Sequence, residues 1–207
     1  MNANNKVVEI YDRIAEEYAW RYDSVESAED LVFLNTFLGY LKPGSSIADI
    51  GCGTGYSTGY FVKHGMAAEG VDLSANMIAI AKRNYPDLSF SIQDLRTWTP
   101  ERPVDAVWAG YCLFHLTEDD FEKTLTRVRS YLKPGGVFGL VMQEGEGGEI
   151  EADEPLLPGE KIYVRLYSEK DLTTMLTRHG FTVVETKRRP SLYEMEFPYN
   201  KLLLIVR

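Results

Sequence analysis

Ser46-Ile-Ala-Asp-Ile-Gly-Cys-Gly-Thr-Gly55 is a short, nearly apolar run that ends in three glycines at alternate positions. Residues 46–50 read as a buried strand and the glycine burst as the tight turn after it. Glycine at 51, 53 and 55 lets the backbone take positive φ and pass close to a ligand without side-chain clash. The helix predicted behind the turn, residues 54–64, offers free N–H groups to an anionic or polar group. A close strand–helix junction also wants glycine, so the turn alone names no ligand.

Outward from this turn, helix and strand signals alternate. Upstream, Val7, Ile10, Tyr11, Ile14, Tyr18 and Tyr22 recur at helical spacing, and a second helix over 30–41 stops at Lys42-Pro43-Gly44. Downstream come a strand at 67–71, a helix at 74–84 and strands at 88–92 and 104–109. Thr117-Glu-Asp-Asp120 starts a helix whose buried stripe is Phe121, Leu125, Val128 and Leu132. Ser168-Glu-Lys-Asp171 repeats the device, with a stop at His179-Gly180. Strands at 137–142, 181–185 and 202–206 complete an α/β pattern with a mostly parallel sheet. Such sheets bind ligands at the carboxyl ends of their strands, so function is sought in the turns.

Composition narrows the classes. The 207 residues carry 22 Lys+Arg against 31 Asp+Glu, a net charge of −9, which disfavours a nucleic-acid backbone as partner. The two cysteines, Cys52 and Cys112, form no CxxC, so neither a disulfide scaffold nor a metal site is expected, and a reducing cytoplasm fits. The aliphatic run at 202–206 is too short to span a bilayer, and the N-terminus shows no signal-peptide pattern. A single domain is expected over 1–207. It divides into a helical cap (1–42), a ligand-binding core (43–143), an acidic loop (144–167) and a C-terminal helix with strands (168–207).

The second predicted strand ends at Val71-Asp72. A carboxylate about 20 residues past a glycine turn is placed to accept hydrogen bonds from both hydroxyls of a ribose. Ser74 already supplies an N-cap for the next helix, which frees Asp72 for a ligand. A nicotinamide dinucleotide would need glycine or alanine at 56, where Tyr56 stands.

These residues resemble the class I S-adenosylmethionine-dependent methyltransferases, in particular the small-molecule branch that includes the ubiquinone-biosynthesis-type enzymes. Asp49-Ile-Gly-Cys-Gly-Thr-Gly55 is similar to the family's first motif, with Asp49 orienting the amino group and Gly51, Cys52, Gly53 and Gly55 passing the methionine end. By the same resemblance Asp72 holds the ribose, and Leu73 and Met77 flank the adenine. Gln93-Asp-Leu95 implies Asp94 for the adenine amine, beside Leu95. Leu132-Lys-Pro-Gly-Gly136 resembles the late, structural motif, and Tyr11-Asp-Arg-Ile-Ala-Glu-Glu-Tyr18 the cap helix that covers the cofactor. The implied architecture is a Rossmann-like, doubly wound sheet of seven strands, mostly parallel, the last one antiparallel. Independently, a sulfonium is cationic and aromatic faces attract cations, which suits Tyr11, Tyr18 and Tyr111.

His64 and His179 precede glycines at helix ends, where the helix dipole accounts for them. His115 lies just beyond the fourth strand. It is the candidate general base, with a packed, backbone-bonded imidazole as the alternative. Residues 144–154 hold six acids and three glycines in 11 residues, a pattern expected of a solvated loop, and its place after the fifth strand would allow it to close over the substrate as a lid. Pro155 to Tyr167 would then line the acceptor pocket, with Tyr163 and Arg165 as polar contacts. The expected activity is methyl transfer to a small molecule by a monomer or homodimer. A non-catalytic cofactor-binding protein and a nicotinamide-dependent oxidoreductase are the alternatives.

Overall fold

The computed structural model describes residues 3–23, 28–191 and 196–207; residues 1–2, 24–27 and 192–195 of the expected terminal segments lie outside the described residues. Seven strands form the main sheet: β1 (Ser46–Ile50), β2 (Ala67–Asp72), β3 (Ser89–Ile92), β4 (Val104–Gly110), β5 (Leu132–Glu144), β8 (Val183–Arg189) and β9 (Asn200–Val206). Their order is β3-β2-β1-β4-β5-β9-β8. β1 to β5 are parallel, and β9 runs antiparallel to both β5 and β8. The doubly wound, mostly parallel sheet with an antiparallel last strand is therefore as expected.

Both faces of the sheet are covered. On one side α1 (Ala3–Tyr18), α5 (Glu118–Tyr131) and α6 (Glu169–Arg178) pack Ile10, Phe121, Leu125 and Leu172 against Ala48, Ile50, Leu140 and Leu204. On the other, α2 (Ala28–Leu38) and α3 (Tyr56–Lys63) bring Phe33, Phe37 and Phe61 onto Ile47, Trp108, Val141 and Leu203. Successive residues of β9 thus enter opposite clusters, which explains its unbroken apolar run. α4 (Ala75–Asn84) is capped by Ser74, which accepts from the Met77 amide. Thr117 and Ser168 cap α5 and α6 in the same way.

The structure corrects the acidic loop. Gly148–Asp153 is a strand, β6, paired antiparallel with β7 (Lys161–Leu166) in a two-stranded ribbon. Its sequence, Glu149-Ile-Glu-Ala-Asp153, alternates, which is the period of a strand; Ile150 and Ala152 pack on the core while the acids face water. Lys161 pairs with Asp153 and Arg165 with Glu149 across the ribbon. The strand expected at 181–185 runs instead over β8, because Phe181 is a buried core residue ahead of it. β5 likewise begins early and absorbs Leu132-Lys-Pro-Gly-Gly136.

The glycine turn separates two uses of glycine. Gly55 has φ +85, and a Cβ there would meet Phe90 at 2.8 Å and Ala81 at 3.0 Å, whereas Gly53 has φ +52 and nothing within 4 Å. Gly55→Ala is therefore expected to cost about 2–4 kcal/mol, strain plus overpacking, and Gly53→Ala about 1–2 kcal/mol, strain alone. Urea denaturation of the two variants checks the order.

Candidate active site

β1 is the switch point of the sheet: the chain leaves it towards β2 and β3, then returns to β4 on its other side. A crevice opens there at the carboxyl ends of the strands. The turn after β1 is fastened to the end of β2. Gly51 N and Cys52 N donate to Val71 O at 2.8 and 3.0 Å, and Gly53 N donates to Asp72 Oδ2 at 2.9 Å. Asp72 Oδ1 accepts from Ser74 N at 2.9 Å, so the same carboxylate ties the start of α4. Gly51 carries no side chain because the Cys112 side chain occupies that space.

The crevice has two chambers that meet at a waist made by Tyr11, Tyr18, Gly51, Gly53, Gly110 and Tyr111. The first, beside β2, is lined by Asp72, Leu73, Met77, Asp94, Leu95 and His115. The second, beside β5, reaches Asp49, Cys52, Trp108, Gln143, Glu154 and Arg189. α1 roofs the waist. Asp12 on α1 accepts from Ser74 Oγ at 2.5 Å and from Asn76 N at 3.1 Å, which docks the roof on α4. Tyr111 has φ 60, the only positive value among non-glycine residues described, and its strained backbone aims the ring between the chambers.

Burial dominates the electrostatics. Asp49 is 1% exposed, and loss of water raises its pKa to about 7, with the Asp72 charge adding and the Thr58 hydroxyl, 2.6 Å away, opposing. Asp72 is raised by burial against the amide bonds it accepts. His115 is lowered to about 4 by burial, so the ring is neutral at pH 7. Its Nδ1 lies 2.7 Å from Tyr163 O, which can only accept; the proton therefore sits on Nδ1. Nε2 then accepts from Tyr11 Oη at 2.8 Å.

Among the sequence-predicted residues, Tyr11, Tyr18, Asp49, Gly51, Cys52, Gly53, Asp72, Leu73, Met77, Asp94, Leu95, Tyr111 and His115 converge on the crevice. Gly55 does not. It caps α3 in the left-handed conformation and makes room for Phe90 behind the turn. Asp94 reaches the first chamber with its carboxylate bound by Arg96, which also pairs with Asp120. Tyr163 and Arg165 lie away from the second chamber, on the ribbon; Arg165 pairs with Glu118 and Glu149. Glu154 and Pro155, at the end of β6, take the place expected of them. Gln143, Arg189 and Lys201 were not anticipated, although a polar residue inside an apolar strand such as β5 or β9 is a visible signal.

A methyltransferase-domain family model matches residues 47–136. The trans-aconitate 2-methyltransferase of Azoarcus sp. (strain BH72) is 35% identical over 104 residues, 49% of this chain and 40% of that one. The chain thus spans about two fifths of that relative's length. Among solved structures, the Burkholderia thailandensis 1,6-didemethyltoxoflavin-N1-methyltransferase, bound to 1,6-didemethyltoxoflavin and S-adenosylhomocysteine, superimposes with TM-score 0.78 at 20% identity, covering 99% of this chain and 88% of that one. DhpI in complex with S-adenosylhomocysteine gives 0.74 at 26% identity, with 98% and 95% covered. With the first motif on β1, an acid at the end of β2 and the expected sheet order, residues 47–136 form a methyltransferase domain, and the chain has the fold of the S-adenosylmethionine-dependent methyltransferases.

Proposed function

We propose that the first chamber holds the nucleoside of S-adenosylmethionine, that Asp49 receives its amino group, and that the methyl passes to a small molecule in the second chamber. The observation that carries this is the pair of chambers meeting at one aromatic and glycine-lined waist. The residues fit the group. Each oxygen of Asp72 accepts one backbone amide and keeps a lone pair for a ribose hydroxyl. Leu73, Met77 and Leu95 give a base apolar walls, and the open side of Gly53 leaves room at the waist. Among the described residues no cation pairs with buried Asp49, so an ammonium would meet a group raised by burial.

When bound, S-adenosylmethionine supplies a methyl already activated by its positive sulfur. The protein's part is alignment and exclusion of water, and alignment alone contributes up to about 7–11 kcal/mol. Tyr11 and Tyr18 present aromatic rings, 6.1 Å apart between centroids, where a cation is favoured over water. His115 engages both ring nitrogens, one with Tyr163 O and one with Tyr11. We therefore assign it the positioning of the Tyr11 ring in preference to the general-base role. Tyr56 lines the second chamber where a dinucleotide fingerprint wants a small residue, which disfavours the oxidoreductase. Within the family the small-molecule branch, ubiquinone-biosynthesis-type enzymes included, suits a net charge of −9 better than nucleic acid does. Unpaired Cys52 and Cys112 suit a cytoplasmic setting, and no described helix is long and apolar enough to cross a membrane.

Calorimetric titration with S-adenosylhomocysteine and with NAD tests the reading. The first is expected to bind, about tenfold or more weakly in Asp72→Ala, since charge-assisted bonds to two hydroxyls are lost. NAD binding without S-adenosylhomocysteine binding would overturn it. Turnover separates the enzyme from a non-catalytic binder.

A second outcome concerns pH. The folded-state pKa of Asp49, about 7, lies above its ordinary value of 3.8, so the ionised form is disfavoured by folding. Its cost is absent below pH 4, grows as pH rises through the interval and is complete above pH 7. Ligand-free Asp49→Asn is therefore expected to be more stable than wild type at pH 8, with the difference gone at pH 4. Thermal melts at the two pH values measure it.

A further inference from the structure

Resting on the assignment of the second chamber to the acceptor, we infer that the acceptor is an amine or an aminated heteroaromatic ring rather than a carboxylate, with its N–H groups received by Glu154, Gln143 and Asp23. The chamber's two cations are both engaged within the protein. Arg189 forks onto Glu196, Nη2 to Oε1 at 2.8 Å and Nη1 to Oε2 at 3.0 Å, and also reaches Tyr111 Oη and Pro190 O. Lys201, 2% exposed, donates to Phe197 O at 2.7 Å and Tyr199 O at 2.8 Å, with Glu196 at 3.9 Å. The segments 24–27 and 192–195 contain no Lys, Arg or His and so hold no further cation. A carboxylate entering here finds no uncommitted positive charge among the described residues.

What the chamber leaves open is acceptor atoms. Glu154 is 4% exposed; one oxygen accepts from Leu156 N at 3.1 Å and Oε2 has no partner. Gln143 Oε1, in a residue 2% exposed, has none either. Asp23 accepts from Thr54 Oγ1 at 2.8 Å through Oδ1, and its Oδ2 is unpartnered. Buried acceptors without donors cost free energy, and a ligand that brings N–H groups relieves all three. The Gln143 amide can turn either end to a ligand, so the two carboxylates decide the sign. Among the fully buried side-chain atoms of the described lining residues, Trp108 Nε1 is the one donor without a partner, which suits a single ring nitrogen or carbonyl. Tyr22, Phe33, Tyr56 and Phe197 supply apolar and aromatic walls around this polar set, as a flat ring requires.

The test uses the whole chain saturated with S-adenosylhomocysteine, whose own binding is measured first in wild type, Glu154→Gln and Gln143→Leu. Failure of that step in wild type sinks the assignment of the crevice, and this inference with it. With the step passed and both variants holding S-adenosylhomocysteine as wild type does, the fold and first chamber are intact. Titration then follows with 2,4-diaminopyrimidine, tryptamine and the tricarboxylate trans-aconitate. At least one amine is expected to bind, with affinity reduced about tenfold or more in each variant. No binding is expected for trans-aconitate. Binding of trans-aconitate, amine binding that neither variant weakens, or no amine binding at millimolar concentration overturns the inference.

Discussion

The amide of Gly53 donating to the Asp72 carboxylate is the bond on which the site depends. It joins the loop after β1 to the tip of β2, and the other oxygen of the same carboxylate holds the first turn of α4. Three elements are thereby fixed around one carboxylate. The bond also holds the left-handed turn shut, since Gly51 and Cys52 donate to Val71 O beside it. A carboxylate held in place by backbone donors is pre-organised to accept further hydrogen bonds. Structure and binding therefore draw on the same four lone-pair directions.

Much of the sheet was legible because its strands are apolar runs separated by glycine, proline and capping residues, each with its own physical reason. β1, α4 and α5 begin and end within a few residues of where Ile50, Ser74 and Thr117 place them. The first chamber was legible too, because a glycine turn and an acid at a strand tip follow from sheet topology. The second was not. Gln143, Glu154, Arg189 and Lys201 come from four distant segments, and no local period brings them together. The ribbon was hidden by its charge: six acids in eleven residues suggested a solvated loop, while the alternation of Ile150 and Ala152 with those acids marked a strand.

Departures from local rules cluster at the same place. Tyr111 sits at φ 60 without being glycine, Lys201 lies at 2% exposure in a strand of leucines, and buried Asp49 has the half-buried acid Asp72 on the neighbouring strand. Each is unfavourable alone, and each borders the crevice. Away from it, Asp105 shows the ordinary case: it is bound by Lys133 and Ser46, which hold its pKa down to about 2. Strain and uncompensated burial gathered at one spot fit a surface shaped for an occupant.

α1 is fastened along both flanks. Asp12 and Glu16 hold it to α4 through Ser74, Asn76 and Arg83; Arg13 holds it to Glu160 beside the ribbon, and Tyr11 to His115. The roof has no hinge of its own between these attachments, and it spans both chambers. A ligand in either chamber therefore rests against the same helix, so a change at any one latch of α1 alters a wall of both pockets together.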